Sequence, residues 1–201
     1  MLHQLRPAIL LLAIMTGITG IAYPLVVTGI AQVVFPHQAN GSLIEQDGVV
    51  IGSELIGQNF VDPETGLTVN GYFRGRMSAA GNGYDAAASS GSNLGPTNPV
   101  LIDRVAEQVA LIRQENNLPT DAQIPVDLVT SSASGLDPDI SPASASLQIG
   151  RVAQQRGVTV EQIQTLVDDH TSGRTAGILG EPRVDVLGLN LALDELFPLG
   201  A

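Results

Sequence analysis

The sequence predicts a single N-terminal transmembrane helix followed by a small α+β (α/β-like) extracytoplasmic domain. Three observations carry this. Pro7 to Phe35 runs for 29 positions without a charged residue, more than the roughly 20 apolar residues a bilayer core requires. Beyond it, short β-branched runs bounded by glycine and proline alternate with capped segments of helical periodicity. The charge is also lopsided: residues 1–44 carry only Arg6, and the rest sets eight arginines against twenty carboxylates. The positive-inside bias then keeps the N-terminus in the cytoplasm and exports the acidic remainder. The expected division is a cytoplasmic N-terminus (1–6), a transmembrane helix (7–35) and an extracytoplasmic domain (36–201).

Within the apolar run, Pro24 is the expected kink, and Gly17, Gly20 and Thr28 offer small surface for packing against other helices. A cleaved signal peptide is the competing reading, with Arg6, an apolar stretch Ala8–Ile18 and a small-x-small site at Gly20-Ile21-Ala22. The chain stays apolar for another 13 residues after Ala22, which favours a retained anchor at the cell (inner) membrane.

Pro36 and the polar residues after it end the helix. GVVIGSELIG (48–57) reads as a short strand leading into a turn, VDPETGLTV (61–69) as turn chemistry, and NGYFRGR (70–76) as a second strand. Residues 80–98 are rich in Gly, Ala, Ser and Asn and form a long loop. Asn98 caps a helix that Pro99 begins and that runs through Leu101, Val105, Val109 and Ile112 to Glu115. IPVDLVT (124–130) is an extended run. Ser141 and Pro142 repeat the cap-plus-proline start, and that helix stops at Gly157. Thr159 and Gln162 form a capping-box pattern ahead of Val160, Ile163, Leu166 and Val167. The tail from Val184 to Leu196 fits both periods and is read as a short strand followed by a helix.

Composition excludes several chemistries. All nine basic residues are arginine and there is no cysteine. This removes lysine-dependent phosphate loops and Schiff bases, and thiolate nucleophiles, Cys zinc sites and disulfides. A net charge of −11 with 3% aromatic residues argues against nucleic acid as a partner. Among catalytic candidates, Ser89–Ser92 with His170 is the one nucleophile–base pairing available. Ser92 is out of register for a nucleophile elbow, and His170 sits at a helix end. Asp137 and Asp139 read as a turn before a cap. Asp168, Asp169 and His170 point in different directions on a helix and make a poor metal site. Arg74 and Arg76 would share one strand face, where they could hold an anion or pair internally with carboxylates.

Several longer words are shared with a known family: FPHQANGSLIE, YFRGRMSAAG, SGSNLGPTNP, IPVDLVTSSASGLDPDISPASA and GEPRVDVLGLNLALDEL. Over almost its whole length the chain resembles the C subunit (KdpC) of the Kdp potassium-transporting P-type ATPase. Met77 stands where the family tends to have proline, and Ser144 where it tends to have alanine. The resemblance implies an accessory subunit, not an enzyme on its own, of a complex with a channel-like potassium-binding subunit, a P-type ATPase subunit and a small fourth subunit. Potassium would be the transported ion, and no firmly bound cofactor is expected. Two mechanisms come with the family. In one the chain is a catalytic chaperone that raises ATP affinity, with a nucleotide- or partner-contact loop at Ser131, Ser132, Ser134, Gly135 and Asp137. In the other the domain assists assembly and covers the potassium entrance outside the membrane. Arg74, Arg76, Ser92 and Asn93 are the candidate partner-facing residues. A membrane-anchored or secreted hydrolase using Ser89–Ser92 and His170 is the alternative.

Overall fold

The computed structural model describes residues 2–199, which divide into two compact units, one ending at Ser53 and the other beginning at Glu54. In the first, Leu5–Val34 is one run of helix 30 residues long with a mean hydropathy of 2.1 and no buried residue, long and apolar enough to cross a membrane. It consists of α1 (Leu5–Gly17), a π turn (Ile18–Ala22) and α2 (Tyr23–Val34). The π turn ends two residues before the expected kink residue, Pro24. Pro24 lacks an N–H, and its ring crowds the carbonyl of Gly20 one turn back, so the preceding turn widens instead of breaking. Thr19 Oγ1 donates to Met15 O at 2.7 Å in that turn.

Past a short helical turn, α3 (Pro36–Ala39), comes a hairpin of β1 (Leu43–Gln46) and β2 (Val49–Ser53), paired antiparallel. Sequence reasoning found β2 and missed β1. The signal was Asp47-Gly48, whose φ angles of 53° and 77° suit the two-residue turn that joins twisted strands.

The second unit carries α4 (Pro99–Glu115), α5 (Val126–Val129), β3 (Asp139–Ile140), α6 (Pro142–Arg156), α7 (Val160–Asp169), β4 (Thr171–Ser172), β5 (Arg183–Asp185) and α8 (Val186–Leu196). β5 is the central strand of a small antiparallel sheet ordered β3-β5-β4. The expected caps are present: Asn98 accepts from Val100 N, Ser141 from Ser144 N, and Thr159 with Gln162 closes a capping box. Gly157 ends α6 at φ 66°, the left-handed position that favours glycine. The tail resolves into β5 followed by α8, which Asp185 caps through Gly188 N at 3.1 Å.

The apolar faces of α6, α7 and α8 close over the sheet. Ile149, Val152, Ile163, Val167, Leu189 and Leu193 are buried together with Phe73. A smaller cluster joins Ile112 of α4 to Leu128 and Val129 of α5. Here the expectation of an extended 124–130 is corrected, because Val126–Val129 forms a helical turn. Asp127 explains it: its carboxylate accepts from Ser141 N (2.7 Å), Ser141 Oγ (3.2 Å) and Ser144 Oγ (2.7 Å). Thr130 Oγ1 closes the turn onto Val126 O.

The expected second strand is corrected in a more telling way. Residues 73–76 are extended but belong to no sheet, and side chains take the place of a neighbouring strand. Phe73 N donates to Asn190 Oδ1 (2.8 Å), and Asn190 Nδ2 donates back to Phe73 O (2.9 Å). Arg74 N donates to Gln148 Oε1 (2.8 Å), and Gln148 Nε2 donates to Arg74 O (3.2 Å). Each buried amide thus pairs with a backbone residue as a strand would. Arg151 Nη2 reaches Tyr72 O at 2.9 Å and Arg156 Nε reaches Gly71 O at 2.8 Å. Asn190→Leu keeps the volume close but strands a buried N–H and a buried C=O, each costing about 1–3 kcal/mol. The full chain in detergent is expected to lose about 2–5 kcal/mol of unfolding free energy, read as a lower denaturant midpoint by circular dichroism. An unchanged midpoint would contradict the strand-mimic role.

Candidate functional site

The words singled out in the sequence meet along one edge of this extended segment. Arg74 points inward: only 6% of it is exposed. Its Nη1 lies 3.0 Å from Glu115 Oε1, and its Nη2 donates to Gln108 Oε1 at 2.7 Å. Glu115 also accepts from Thr68 N (2.6 Å) and Thr68 Oγ1 (3.0 Å). A buried pair is tolerated when further hydrogen bonds satisfy both ions, as here. Arg74 therefore serves the internal pairing, and little of it is left to face a partner. Arg76 takes the other side of the segment. Its Nη1 meets Asp137 Oδ2 at 3.1 Å and its Nη2 donates to Ser131 O at 3.2 Å.

Arg76 thereby ties the extended segment to the Ser/Gly stretch, and backbone bonds continue the attachment. Ser132 N donates to Met77 O (3.2 Å), Ser78 Oγ to Gly135 O (2.6 Å) and Gly57 N to Leu136 O (3.0 Å). Ser90 N and Ser89 Oγ both donate to Ser134 O at 2.9 Å. Ser132 and Gly135 are buried, Ser131 and Asp137 half-buried, and Ser134 exposed. Gly135 has φ 70°, and a Cβ there would stand 2.6 Å from Ser90 O and 2.7 Å from Ala80 N. Only glycine lets the stretch lie this close. The arrangement is a strap pressed onto 77–80 and 89–91, with the carbonyls of Ser131, Ser134, Gly135 and Leu136 taken up by the contacts. Asp137 does the turn-shaping the sequence implied, accepting from Asp139 N at 3.1 Å. Ser92 is half-buried; Asn93 is exposed, at φ 51°, with its Nδ2 bonded to Gly91 O.

The serine–histidine pairing is not assembled. Ser89 and Ser90 hydroxyls donate to backbone carbonyls, and His170 Nδ1 lies 2.8 Å from Leu166 O at the end of α7. No hydrogen bond joins them among the described residues. Asp168 accepts from Gln164, and among the described residues no group of three or more His, Asp and Glu is placed to hold a metal ion.

Tyr84 is the residue sequence reasoning overlooked. Its hydroxyl donates to Arg76 O at 2.7 Å, and its N–H donates to Ser78 Oγ at 2.7 Å. Burial, reinforced by Asp137 and opposed by Arg76 and Arg74, pushes its phenol up from 10 to about 12. The raised folded value means the neutral phenol stabilises the fold fully below pH 10 and that this stability is lost as pH rises through about 12. Wild-type chain is expected to lose about 2–3 kcal/mol more than Tyr84→Phe between those limits, measured by denaturant unfolding alongside phenolate absorbance. Equal losses in the two proteins would contradict the assigned burial.

A family model described as the K+-transporting ATPase c chain, KdpC, matches residues 5–195. A potassium-transporting ATPase KdpC subunit from Mycobacterium tuberculosis is 57% identical over 196 residues, covering 98% of this chain and all of that protein. One from Rhodopseudomonas palustris is 54% identical over 206 residues, covering 96% of this chain and 98% of its own length. Another, from Herpetosiphon aurantiacus, is 56% identical over 195 residues and covers 95% of each chain. With a match across nearly every described element, the chain belongs to the KdpC family, the c chain of the K+-transporting ATPase.

Proposed function

We propose that the chain is an accessory, non-pore, non-phosphorylated subunit that assists assembly and potassium entry in an ATP-driven uptake complex. Its partners on this reading are a channel-like potassium-binding subunit, a P-type ATPase subunit and a small fourth subunit. Residues 1–6 lie in the cytoplasm, 7–35 span the membrane, and 36–201 lie outside, in keeping with Arg6 as the lone charge ahead of the apolar run. The observation that carries the reading is the Ser/Gly strap. A nucleotide loop must lie open to its ligand, whereas this stretch lies pressed onto its own domain through Ser131 O, Ser132 N, Ser134 O, Gly135 O and Leu136 O, with Gly135 buried against Ser90 and Ala80. This favours assembly and entry over a catalytic chaperone that grips ATP itself; ATP then acts through the ATPase subunit.

The test is mass spectrometry of the tagged full chain purified from detergent-solubilised membranes. An intact N-terminal helix, with a P-type ATPase and a large polytopic protein in stoichiometric amounts, is expected. A chain that begins at Tyr23 and purifies alone from the soluble fraction would contradict the proposal.

A further inference from the structure

The long apolar helix ends in a small, firmly tied structure of its own. Gln32 of α2 and Asn40 exchange two side-chain amide bonds at 3.3 Å, and Asn40 Nδ2 also donates to Pro36 O at 2.7 Å. Ser42 N donates to His37 O at 3.0 Å, and Ser53 Oγ donates to Gly41 O at 2.7 Å. Ser42 is buried at φ 49°, a conformation that a serine keeps only where its surroundings hold it. The hairpin of β1 and β2 is therefore fixed to the end of α2 within the first unit.

Between α3 and β1 lies an open pocket of about 390 Å³ lined by Pro36, His37, Asn40, Leu43 and Glu45. Leu43 and Glu45 stand two apart on β1 and so share the face turned toward it. Asn40 is spent on the ties above. The Glu45 carboxylate is exposed and makes no hydrogen bond or ion pair among the described residues. Residues 36–53 contain no lysine or arginine, so no permanent cation of this segment answers its charge. Helix length sets the level of the pocket. The 30 residues of Leu5–Val34, at about 1.5 Å each, span about 45 Å, and a bilayer with both headgroup layers measures about 40–45 Å. With Arg6 in one headgroup layer, Pro36 and the pocket reach the other. Ile30, Val33 and Val34, just below it, are all exposed.

We propose that this pocket binds a phospholipid with a primary ammonium headgroup, of the phosphatidylethanolamine class. This rests on the membrane-spanning reading above. Glu45 accepts hydrogen bonds from the ammonium, Pro36 and Leu43 cover the carbons beside it, and the acyl chains lie along Ile30, Val33 and Val34. The phosphate stays at the open mouth, in water. A trimethylammonium headgroup fits less well, because it has no N–H to donate and the pocket offers no aromatic ring to receive it. An anionic headgroup is repelled by Glu45 and the neighbouring Asp47, with no lysine or arginine nearby in this segment to offset them.

The experiment places the full chain in nanodiscs of phosphatidylethanolamine and phosphatidylcholine in equal parts, releases it into a mass spectrometer and counts the lipids that stay bound. Wild type is expected to retain phosphatidylethanolamine over phosphatidylcholine about three- to fivefold, the scale of one exposed ion pair. Glu45→Gln should retain the two equally, while Asp47→Asn, which removes a carboxylate outside the pocket, should keep the wild-type ratio. No preference in wild type overturns the proposal and leaves Glu45 to water or to a protein cation. Equal loss of preference in both variants also overturns it, because net charge and not the pocket then selects the lipid. Extraction of the full chain from vesicles by alkaline carbonate would instead overturn the membrane-spanning reading.

Discussion

Residues 71–74 run through the domain as backbone without a neighbouring strand, and the fold depends on the side chains that pair with them. Six of their backbone groups pair with side chains: Gly71 O with Arg156, Tyr72 O with Arg151, both groups of Phe73 with Asn190 and both groups of Arg74 with Gln148. Left unmade in the interior, such groups cost about 1–3 kcal/mol each, a sum comparable with the 5–15 kcal/mol that holds a typical domain together. The partners come from α6 and α8, so the clamp fixes those two helices to one piece of chain. Arg156 extends it by reaching Leu193 O, Phe197 O and Asp194.

The clamp also decides where everything else lies. With 73 and 74 fixed, Arg74 must turn toward α4 and meet Glu115, while Arg76 emerges toward Asp137 and the strap. Tyr84 then locks the carbonyl of Arg76. Packing of α6 through α8 and placement of the Ser/Gly stretch are thus consequences of one line of hydrogen bonds. That stretch gathers serines, glycines and aspartates in sequence, and Ser131, Ser132, Ser134 and Gly135 use backbone groups to hold the domain's surface together.

Legibility in the sequence followed locality. Caps and helix stops at Asn98, Ser141, Thr159 and Gly157 depend on residues three or four positions apart, and all were readable. The uncharged run was readable because composition alone defines it. The clamp was not, because Gln148 and Asn190 lie 74 and 117 positions from the backbone they pair with, and nothing in YFRGR separates a strand from a segment that only imitates one. A signal was available nonetheless. Gln148 shares the buried face of its helix with Ser144 and Val152, and Asn190 with Val186 and Leu193. An amide on an apolar stripe must find a partner, and unpaired backbone is the commonest one. The turn at Val126–Val129 escaped for the same reason, since Asp127 holds it through residues 14 and 17 positions away.

Native-state hydrogen exchange at the amides of Phe73 and Arg74, in the full chain in detergent, tests the clamp most directly. Paired to buried side chains that separate only when α6 and α8 leave, both amides should exchange through global unfolding, as slowly as core amides of α6. If they exchange at the rate of the neighbouring 80–98 loop, the clamp is a bystander and the account of the fold built on it fails.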